Sequence, residues 1–239
     1  MSLYRDAAVV LRTHKLGEAD RIVVLMARDT GKVRAVAKGV RRTGSKFGSR
    51  LEPGSHVNVQ LYEGRGELDI VTQAELVEPF RRTREDLSRM GRAASLLEAV
   101  EQLAQDREPA PRLYDMLVGG LRTVEERNPP LVAGAFFLKL LSVEGVAPEL
   151  DVCVGCAEED GDLALALDAG GVRCRNCGGG RPVSDEALAV SRAVLGGGLN
   201  TALSLPEGHV THEVEALATA ALETHIERRL RAVRVLHDG

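Results

Sequence analysis

The four cysteines of this chain form a single array, in which two C-x2-C pairs are separated by seventeen residues. Two such pairs at this separation can place four thiolates tetrahedrally around one zinc ion. Gly155 lies inside the first pair and Gly178 directly follows the second, where a tight turn often needs positive φ. The array therefore predicts a structural Zn2+ site that closes a subdomain at about 150–182. The predicted ligands are Cys153, Cys156, Cys174 and Cys177.

Other uses of the cysteines are less well matched to the pattern. Four protein ligands fill the zinc shell and leave no position for water or a substrate, so the array indicates structure rather than catalysis. A thioredoxin-like redox site is a single C-x-x-C. No signal peptide is expected at the N-terminus, so the protein is predicted to be cytoplasmic, where disulfides are disfavoured. Spacing alone does not exclude an iron–sulfur cluster.

The charge of the chain is unevenly distributed. The 239 residues carry a formal net charge of −4, with 44 % hydrophobic and 28 % charged residues, which is ordinary for a soluble globular protein. Seven basic residues and no acidic residue lie between positions 30 and 51. This asymmetry predicts an anionic partner for the N-terminal region. No apolar stretch approaches the roughly 18 residues of a membrane span, so no membrane partner is expected.

The first 80 residues show short runs rich in Val, Leu and Ile, separated by turn signals. Turns are predicted at Asp29-Thr30-Gly31 and at Glu63-Gly64-Arg65-Gly66. Five strands in this length favour a small OB-like β-barrel, although a small SH3-like barrel would give nearly the same pattern. The predicted strands cover residues 7–12, 21–26, 33–37, 57–62 and 68–76.

The remainder of the chain has helical periodicity. Helices are predicted from about residue 84, at 113–124, at 131–144, at 184–195 and at 212–236. The third is apolar nearly all round and should be the buried centre of a bundle, and Ser184 is placed to cap the fourth. The sequence thus predicts an α+β multidomain protein: an OB-like nucleic-acid-binding barrel at 1–80 and a helical domain at 81–239 that contains the zinc subdomain.

The basic stretch after the third strand is the main functional candidate. Its glycines allow the backbone to adapt to a phosphate chain, and contacts of this kind bind phosphates regardless of base sequence. Phe47 and Tyr62 are candidates for stacking on a base. The segment 39–46 nearly matches a phosphate-binding loop, but the order of its last residues and its barrel context disfavour nucleotide hydrolysis. The candidate DNA-binding residues are Lys32, Arg34, Lys38, Arg41, Arg42, Lys46 and Arg50.

The runs 24–33 and 37–42 include Thr30, Gly31-Lys32 and Ala37-Lys38-Gly39-Val40-Arg41-Arg42. On these residues the chain resembles the bacterial DNA repair protein RecO family. Members carry the pattern T…GK…AKGARR in an N-terminal OB-fold, and this chain keeps it, with Val40 in place of the usual alanine. The opening Val9-Val10-Leu11, the run Leu16-Gly17-Glu18-Ala19-Asp20-Arg21 and the order of helices and cysteine array also match. Of the candidate residues, Lys32, Lys38, Arg41 and Arg42 lie on the motif, whereas Lys46 and Arg50 extend it on electrostatic grounds. Arg81, Arg82 and Arg84 are a further candidate extension.

The resemblance implies a recombination mediator rather than an enzyme. Such a protein is expected to bind single- and double-stranded DNA, anneal complementary strands, and act with RecR to load RecA onto DNA coated by single-strand-binding protein. It is also expected to bind the acidic C-terminal tail of single-strand-binding protein through its helical domain and to associate with the nucleoid. Two alternatives from other classes remain: a scaffold that binds protein or structured RNA, and a metalloenzyme or thiol oxidoreductase, which the closed ligand set disfavours.

Overall fold

The computed structural model describes residues 2–64, 66–159 and 162–232. The chain forms two compact units, Met1–Glu126 and Arg127–Gly239. The first unit holds the barrel together with three helices, and the second holds the remaining helices and the cysteine array. The first unit extends beyond residue 80, because three helices that follow the barrel belong to it. The predicted domain boundary between residues 80 and 81 stays a prediction.

The barrel consists of five strands that close on themselves. Strand β3 is followed in the ring by β5, the two are parallel, and β4 pairs with β1, whereas all other pairs are antiparallel. This order is that of an OB-fold, so the OB-like prediction is confirmed. The strands are β1 Leu3–Leu16, β2 Asp20–Ala27, β3 Gly31–Ala37, β4 His56–Tyr62 and β5 Asp69–Glu78.

The interior of the barrel is filled by alternating strand residues and by two side chains from the segment after β3. Phe47 and Leu51 are each 1 % exposed and pack in the same cluster as the strand residues. The prediction that Phe47 stacks on a base is therefore wrong, because its ring closes the barrel core. The strand residues of this cluster are Ala8, Val10, Val23, Leu25, Ala27, Val33, Ala35, Ala37, Val57, Val59, Leu61 and Val71.

Three helices complete the first unit: α1 Arg81–Glu85, α2 Leu87–Leu103 and α3 Pro111–Glu126. The helical run predicted from about residue 84 is divided at Asp86, whose side chain accepts a hydrogen bond from the backbone N–H of Arg89 and caps α2. Helices α2 and α3 pack against each other and against β1. Val9 and Met26, which lie opposite each other on β1 and β2, are fully buried there although neither belongs to the barrel interior.

The segment after α2 closes a gap in the barrel wall. Strands β3 and β5 pair only at Ala35–Asp69 and Val36–Ile70. Next to this short pairing, the backbone N–H of Lys32 bonds to the carbonyl of Gln105, and the N–H of Arg107 bonds to the carbonyl of Lys32. The segment 105–107 thus pairs with β3 at Lys32, where it forms an isolated parallel bridge through Asp106.

The second unit is built around α4 Val132–Val143, which packs on α5 Asp185–Gly196, α6 Leu199–Leu203 and α7 His209–His225. Residues 132–138 are all buried, which confirms that α4 is the centre of the helical packing. Ser184 caps α5 by accepting a hydrogen bond from the N–H of Ala187, as predicted.

Two features of the second unit differ from the sequence-based prediction. Helix α7 ends at His225, and Glu227 adopts a left-handed conformation with φ 51°. The prediction of one continuous helix from residue 212 towards residue 236 is therefore wrong beyond His225. Residues 233–236 of that prediction lie outside the described residues. The cysteine segment also forms a small sheet in the order β6-β8-β7-β9, which the sequence did not indicate. Its strands are β6 Glu149–Cys153, β7 Leu163–Ala166, β8 Gly171–Cys174 and β9 Arg181–Pro182.

Candidate metal centre and nucleic-acid interface

The sheet of the second unit brings the four cysteines together. Cys153 ends β6 and Cys174 ends β8, and each is followed by a tight turn that carries the second cysteine of its pair. The four Sγ atoms lie within 4.8 Å of one another, and those of Cys156 and Cys174 are 3.6 Å apart. All four are free thiols, with Cys153 and Cys174 buried and the other two exposed. The cluster can hold a metal ion.

The two turns have the same backbone design. The N–H of Ala157 bonds to the carbonyl of Cys153 at 2.8 Å, and the N–H of Gly178 bonds to the carbonyl of Cys174 at 3.1 Å. The residue after each pair is left-handed, with φ 62° at Ala157 and 63° at Gly178. The positive φ expected at Gly178 is thus confirmed. Gly155 serves close approach instead, because a Cβ there would lie 3.0 Å from the Sγ of Cys177.

The proton affinities of the thiols show why the cluster suits a cation. The backbone N–H of Cys174 is the main cause that lowers the pKa of Cys153 to about 6. Contact with Cys156 is the main cause that raises the pKa of Cys177 to about 12. One thiol therefore ionises readily while another resists, since thiolates this close repel each other. A divalent ion would remove that repulsion and hold all four as thiolates.

Replacing Ala157 by glycine is expected to stabilise the cysteine subdomain by about 1 kcal/mol, because an L-residue pays roughly this amount in the left-handed region. The reverse change, Gly178→Ala at the matching position of the other turn, should destabilise it by about the same amount. Thermal unfolding of the metal-loaded protein measures both. Equal midpoints for the two variants and the parent would contradict the strain assigned to Ala157.

The basic stretch forms a loop that lies along the turn between β1 and β2. The N–H of Gly39 bonds to the Asp20 carboxylate at 2.7 Å, and the N–H of Arg41 bonds to the carbonyl of Ala19 at 3.0 Å. At its far end, Lys46 Nζ bonds to the carbonyl of Thr72 on β5 at 2.8 Å. The loop joins a strand to a short 3-10 turn, Gly48–Leu51, rather than a strand to an α-helix, which argues against the phosphate-binding-loop reading. We call residues 38–47 the basic loop.

Most predicted DNA-binding side chains are exposed on this surface. Arg34, Lys38 and Arg42 are exposed, and none of their side chains makes a hydrogen bond or ion pair with the described residues. Arg41 contacts the Gly17 carbonyl at 3.4 Å, a weak interaction that leaves its guanidinium available. Arg50 donates to the carbonyl of Lys46 at 2.8 Å and remains exposed. In an OB-fold, the β2–β3 face and the β1–β2 turn are the usual oligonucleotide surface.

Lys32 differs from the other predicted residues. Its Nζ bonds to the carbonyl of Glu101 at 3.1 Å and lies 3.4 Å from an Asp106 carboxylate oxygen, and its side chain is only 13 % exposed. These contacts tie β3 to the end of α2. A phosphate contact by Lys32 stays a prediction, and it would have to replace bonds that the lysine already makes.

The structure adds basic residues that the sequence reasoning missed. Strand β1 continues to Leu16, four residues beyond its predicted end, and pairs with the start of β2. This extension carries His14 and Lys15, and Lys15 lies opposite Arg21. This extension was missed because residues 13–16 of β1 lack the Val and Ile that mark a strand.

The basic residues of α1 are a further candidate extension of the surface. Arg84 donates a hydrogen bond to the Ser55 hydroxyl at 2.8 Å. The extension to Arg81, Arg82 and Arg84 stays a prediction.

The fold and site define a class of protein: an OB-type barrel with a basic outer loop, carried on a chain with helices and a four-cysteine cluster. Residues 1–80 match the family described as Recombination protein O N terminal, and residues 84–234 match Recombination protein O C terminal. A DNA repair protein RecO of Frankia casuarinae is 46 % identical over 242 residues, which cover 99 % of each chain. This chain belongs to the RecO family of DNA repair proteins.

In the part of the chain that the structure describes, no helix is long and apolar enough to cross a membrane.

Proposed function

We propose that this chain is a recombination mediator that binds single- and double-stranded DNA and anneals complementary strands. The observation that carries the proposal is the basic loop, which is anchored on the β1–β2 turn and on β5 of an OB-type barrel. Its backbone is fixed by bonds to Asp20 and Ala19, while Lys38 and Arg42 stay exposed. Fixed backbone and free cations are the combination that binds a phosphate chain without large ordering costs.

Annealing follows from the type of contact that this surface makes. Arginine and lysine side chains bind the phosphates and leave the pairing edges of the bases free. Two strands held in this way lose much of their mutual repulsion, because their phosphates are partly neutralised. The chain has no Trp, three Tyr and four Phe, and a surface this poor in aromatic residues does not sequester bases in deep stacking pockets.

The cysteine cluster has a structural part in this proposal. Four Zn–S bonds of about 2.3 Å in a tetrahedron separate the sulfurs by about 3.8 Å, close to the 3.6 Å between Cys156 and Cys174. An iron–sulfur cluster places inorganic sulfide between its irons and needs thiolates farther apart. Zinc held by Cys153, Cys156, Cys174 and Cys177 would have a filled shell, which supports a brace rather than an enzyme.

Family membership supports the partners proposed for this activity. These are RecR and the acidic C-terminal tail of single-strand-binding protein, and through them RecA, which is loaded onto DNA that single-strand-binding protein has coated. The expected location is the cytoplasm, in association with the nucleoid. DNA binding by the barrel is the step that the geometry supports best, so it is tested first.

The triple variant Arg41→Ala, Arg42→Ala, Lys46→Ala is expected to weaken oligonucleotide binding about tenfold to a hundredfold at low salt. Each lost phosphate contact removes counterion release, so the slope of log affinity against log salt should become shallower by about two to three. Fluorescence anisotropy of a labelled oligonucleotide over a salt series measures both quantities.

A charge-matched control separates site loss from a change in net charge. Arg112, Arg127 and Arg229 are exposed and lie outside the basic loop, so their triple alanine variant removes the same charge. It should keep nearly the parental affinity and slope. Unchanged affinity in the loop variant, or an equal loss of affinity in both triple variants, would contradict the assignment of the DNA-binding site to the basic loop.

A further inference from the structure

One row of cross-strand neighbours runs around the outside of the barrel. Leu3 on β1 lies opposite Tyr62 on β4, and Tyr62 lies opposite Ile70 on β5. Ile70 pairs with Val36 on β3, which in turn lies opposite Ile22 on β2. We call these five residues the apolar row. Neighbouring strands are about 4.8 Å apart, so consecutive side chains of the row are adjacent.

The apolar row faces outward. The residues next to it in the chain, such as Val23, Ala35 and Leu61, lie inside the barrel, and successive strand residues point to opposite faces. Tyr62 is 37 % exposed and Leu3 57 %, and the other three are half-buried. By contrast, Val9 and Met26 farther along the outer surface are fully buried. The row is thus a partly accessible apolar strip that crosses all five strands.

Basic side chains border the centre of the row. Arg34 lies two residues before Val36 on the same face of β3, about 6.6 Å away along the backbone, and Lys38 is exposed directly after the end of the strand. Lys46 reaches β5 and bonds to the carbonyl of Thr72, two residues from Ile70. An apolar strip with cations on both sides of its middle is complementary to a ligand that alternates flat apolar groups with anions.

Unpaired nucleic acid is that ligand. Its bases present faces with no hydrogen-bonding demand, and its phosphates follow at regular intervals, whereas a duplex buries the same faces in its own stack. A protein partner would need a contiguous apolar surface of several hundred Å2, and a strip one side chain wide does not provide one. Single apolar residues at a surface need no explanation, but a continuous line through five neighbouring strands does.

We propose that Ile22, Val36, Ile70 and Tyr62 form a platform for the faces of unpaired bases, while Arg34, Lys38 and Lys46 hold the flanking phosphates. This inference rests on the proposed DNA binding and adds the surface that distinguishes single strands from duplexes. The bases lie face-down on the row and keep their pairing edges exposed. Once two strands pair, their faces are taken up by the duplex stack, the apolar contacts are lost, and the annealed product is released more readily than the single strand.

A tryptophan reporter tests this contact directly, because the chain contains no Trp. Ile70→Trp places the indole in the row, and Leu76→Trp places it on the same strand about 20 Å away, at a site that is 41 % exposed. A dye-labelled oligothymidine is titrated into each protein, and Trp emission and dye anisotropy are read from the same samples. We expect saturable quenching at position 70, with the same midpoint as the anisotropy change, and little quenching at position 76.

The outcomes separate this inference from the proposed function. Normal anisotropy with no quenching at position 70, or with equal quenching at both positions, would overturn the row while leaving DNA binding intact. No anisotropy change with any oligonucleotide would contradict the proposed function and the row together.

A second variant, Val36→Thr with Ile70→Thr, keeps β-branched residues on the strands and so should stay folded. It is expected to lower single-strand affinity about fivefold with unchanged salt slope and duplex affinity, because only apolar contacts are removed. Equal losses for duplex and single strand would also overturn the proposal.

Discussion

Removal of the metal with a chelator is expected to unfold the cysteine subdomain and leave the barrel intact. Its sheet has strands of only two to five residues and a small apolar core that includes Leu150, Leu163 and Val172. A segment of about 34 residues with so little core does not fold alone. Structural zinc contributes an apparent binding free energy of about 10–16 kcal/mol in comparable peptides, so most of the local stability should come from the ion.

Hydrogen exchange read by mass spectrometry measures this effect. Peptides covering β6–β9 should exchange within seconds after chelation and regain protection on adding Zn2+, whereas peptides covering β1–β5 should not change. Cys153→Ser with Cys174→Ser should reproduce the chelated state, while Val154→Thr, inside the same turn, retains all four thiolates and should behave like the parent. A metal content near zero in protein purified without chelator, together with unchanged exchange on adding zinc, would contradict the metal site.

Replacing Gly31 by alanine is expected to destabilise the first unit by about 2–5 kcal/mol, through left-handed strain and overpacking together. Gly31 has φ 79°, and a Cβ at this position would lie 2.0 Å from the carbonyl oxygen of Glu108. The oxygen belongs to the backbone beside the segment that closes the gap between β3 and β5, so it has little room to move. Loss of this packing should also loosen the contacts of Lys32 with Glu101 and Asp106.

Gly17→Ala is the matched control, because Gly17 is also left-handed, with φ 57°, and has nothing within 4 Å of the Cβ position. It should cost only the backbone strain, about 1–2 kcal/mol. Urea denaturation followed by far-UV circular dichroism measures both variants. A Gly31 variant no less stable than the Gly17 variant would show that the segment after α2 does not close the barrel wall as described.

The strands of the barrel were predictable because local signals agree with the tertiary pattern. Glycine turns separate alternating Val, Leu and Ile runs, and a barrel interior requires that alternation. The break at Asp86 was harder to predict, because residues 81–86 contain no apolar residue whose spacing could mark it, and only the cap at Asp86 reveals it. The small sheet around the cysteines has strands too short for periodicity, and its geometry is set by the turns at Cys153 and Cys174.

The candidate site was predictable in its charge and less so in its geometry. The cysteine spacing identified the whole cluster, because four thiolates at one point are implied by two matched pairs. The exposure of Arg34 and Arg42 agrees with a binding role, whereas the engagement of Lys32 by α2 depends on contacts 69 residues apart in the chain. The burial of Phe47 has the same origin, since only the closed barrel shows that its core needs a ring at one end. The apolar row could not be read from the sequence, because its members come from five strands and meet only through their register.

The barrel surface is proposed to bring complementary strands together by neutralising their phosphates. The most direct test of this claim is the annealing of two complementary oligonucleotides, one carrying a dye and the other a quencher, over a salt series without nucleotide. The expected result is an acceleration at low salt that fades as salt rises, and that the Arg41→Ala, Arg42→Ala, Lys46→Ala variant loses. No acceleration at low salt by folded, zinc-loaded protein would contradict the claim and favour a scaffold that binds protein or structured RNA.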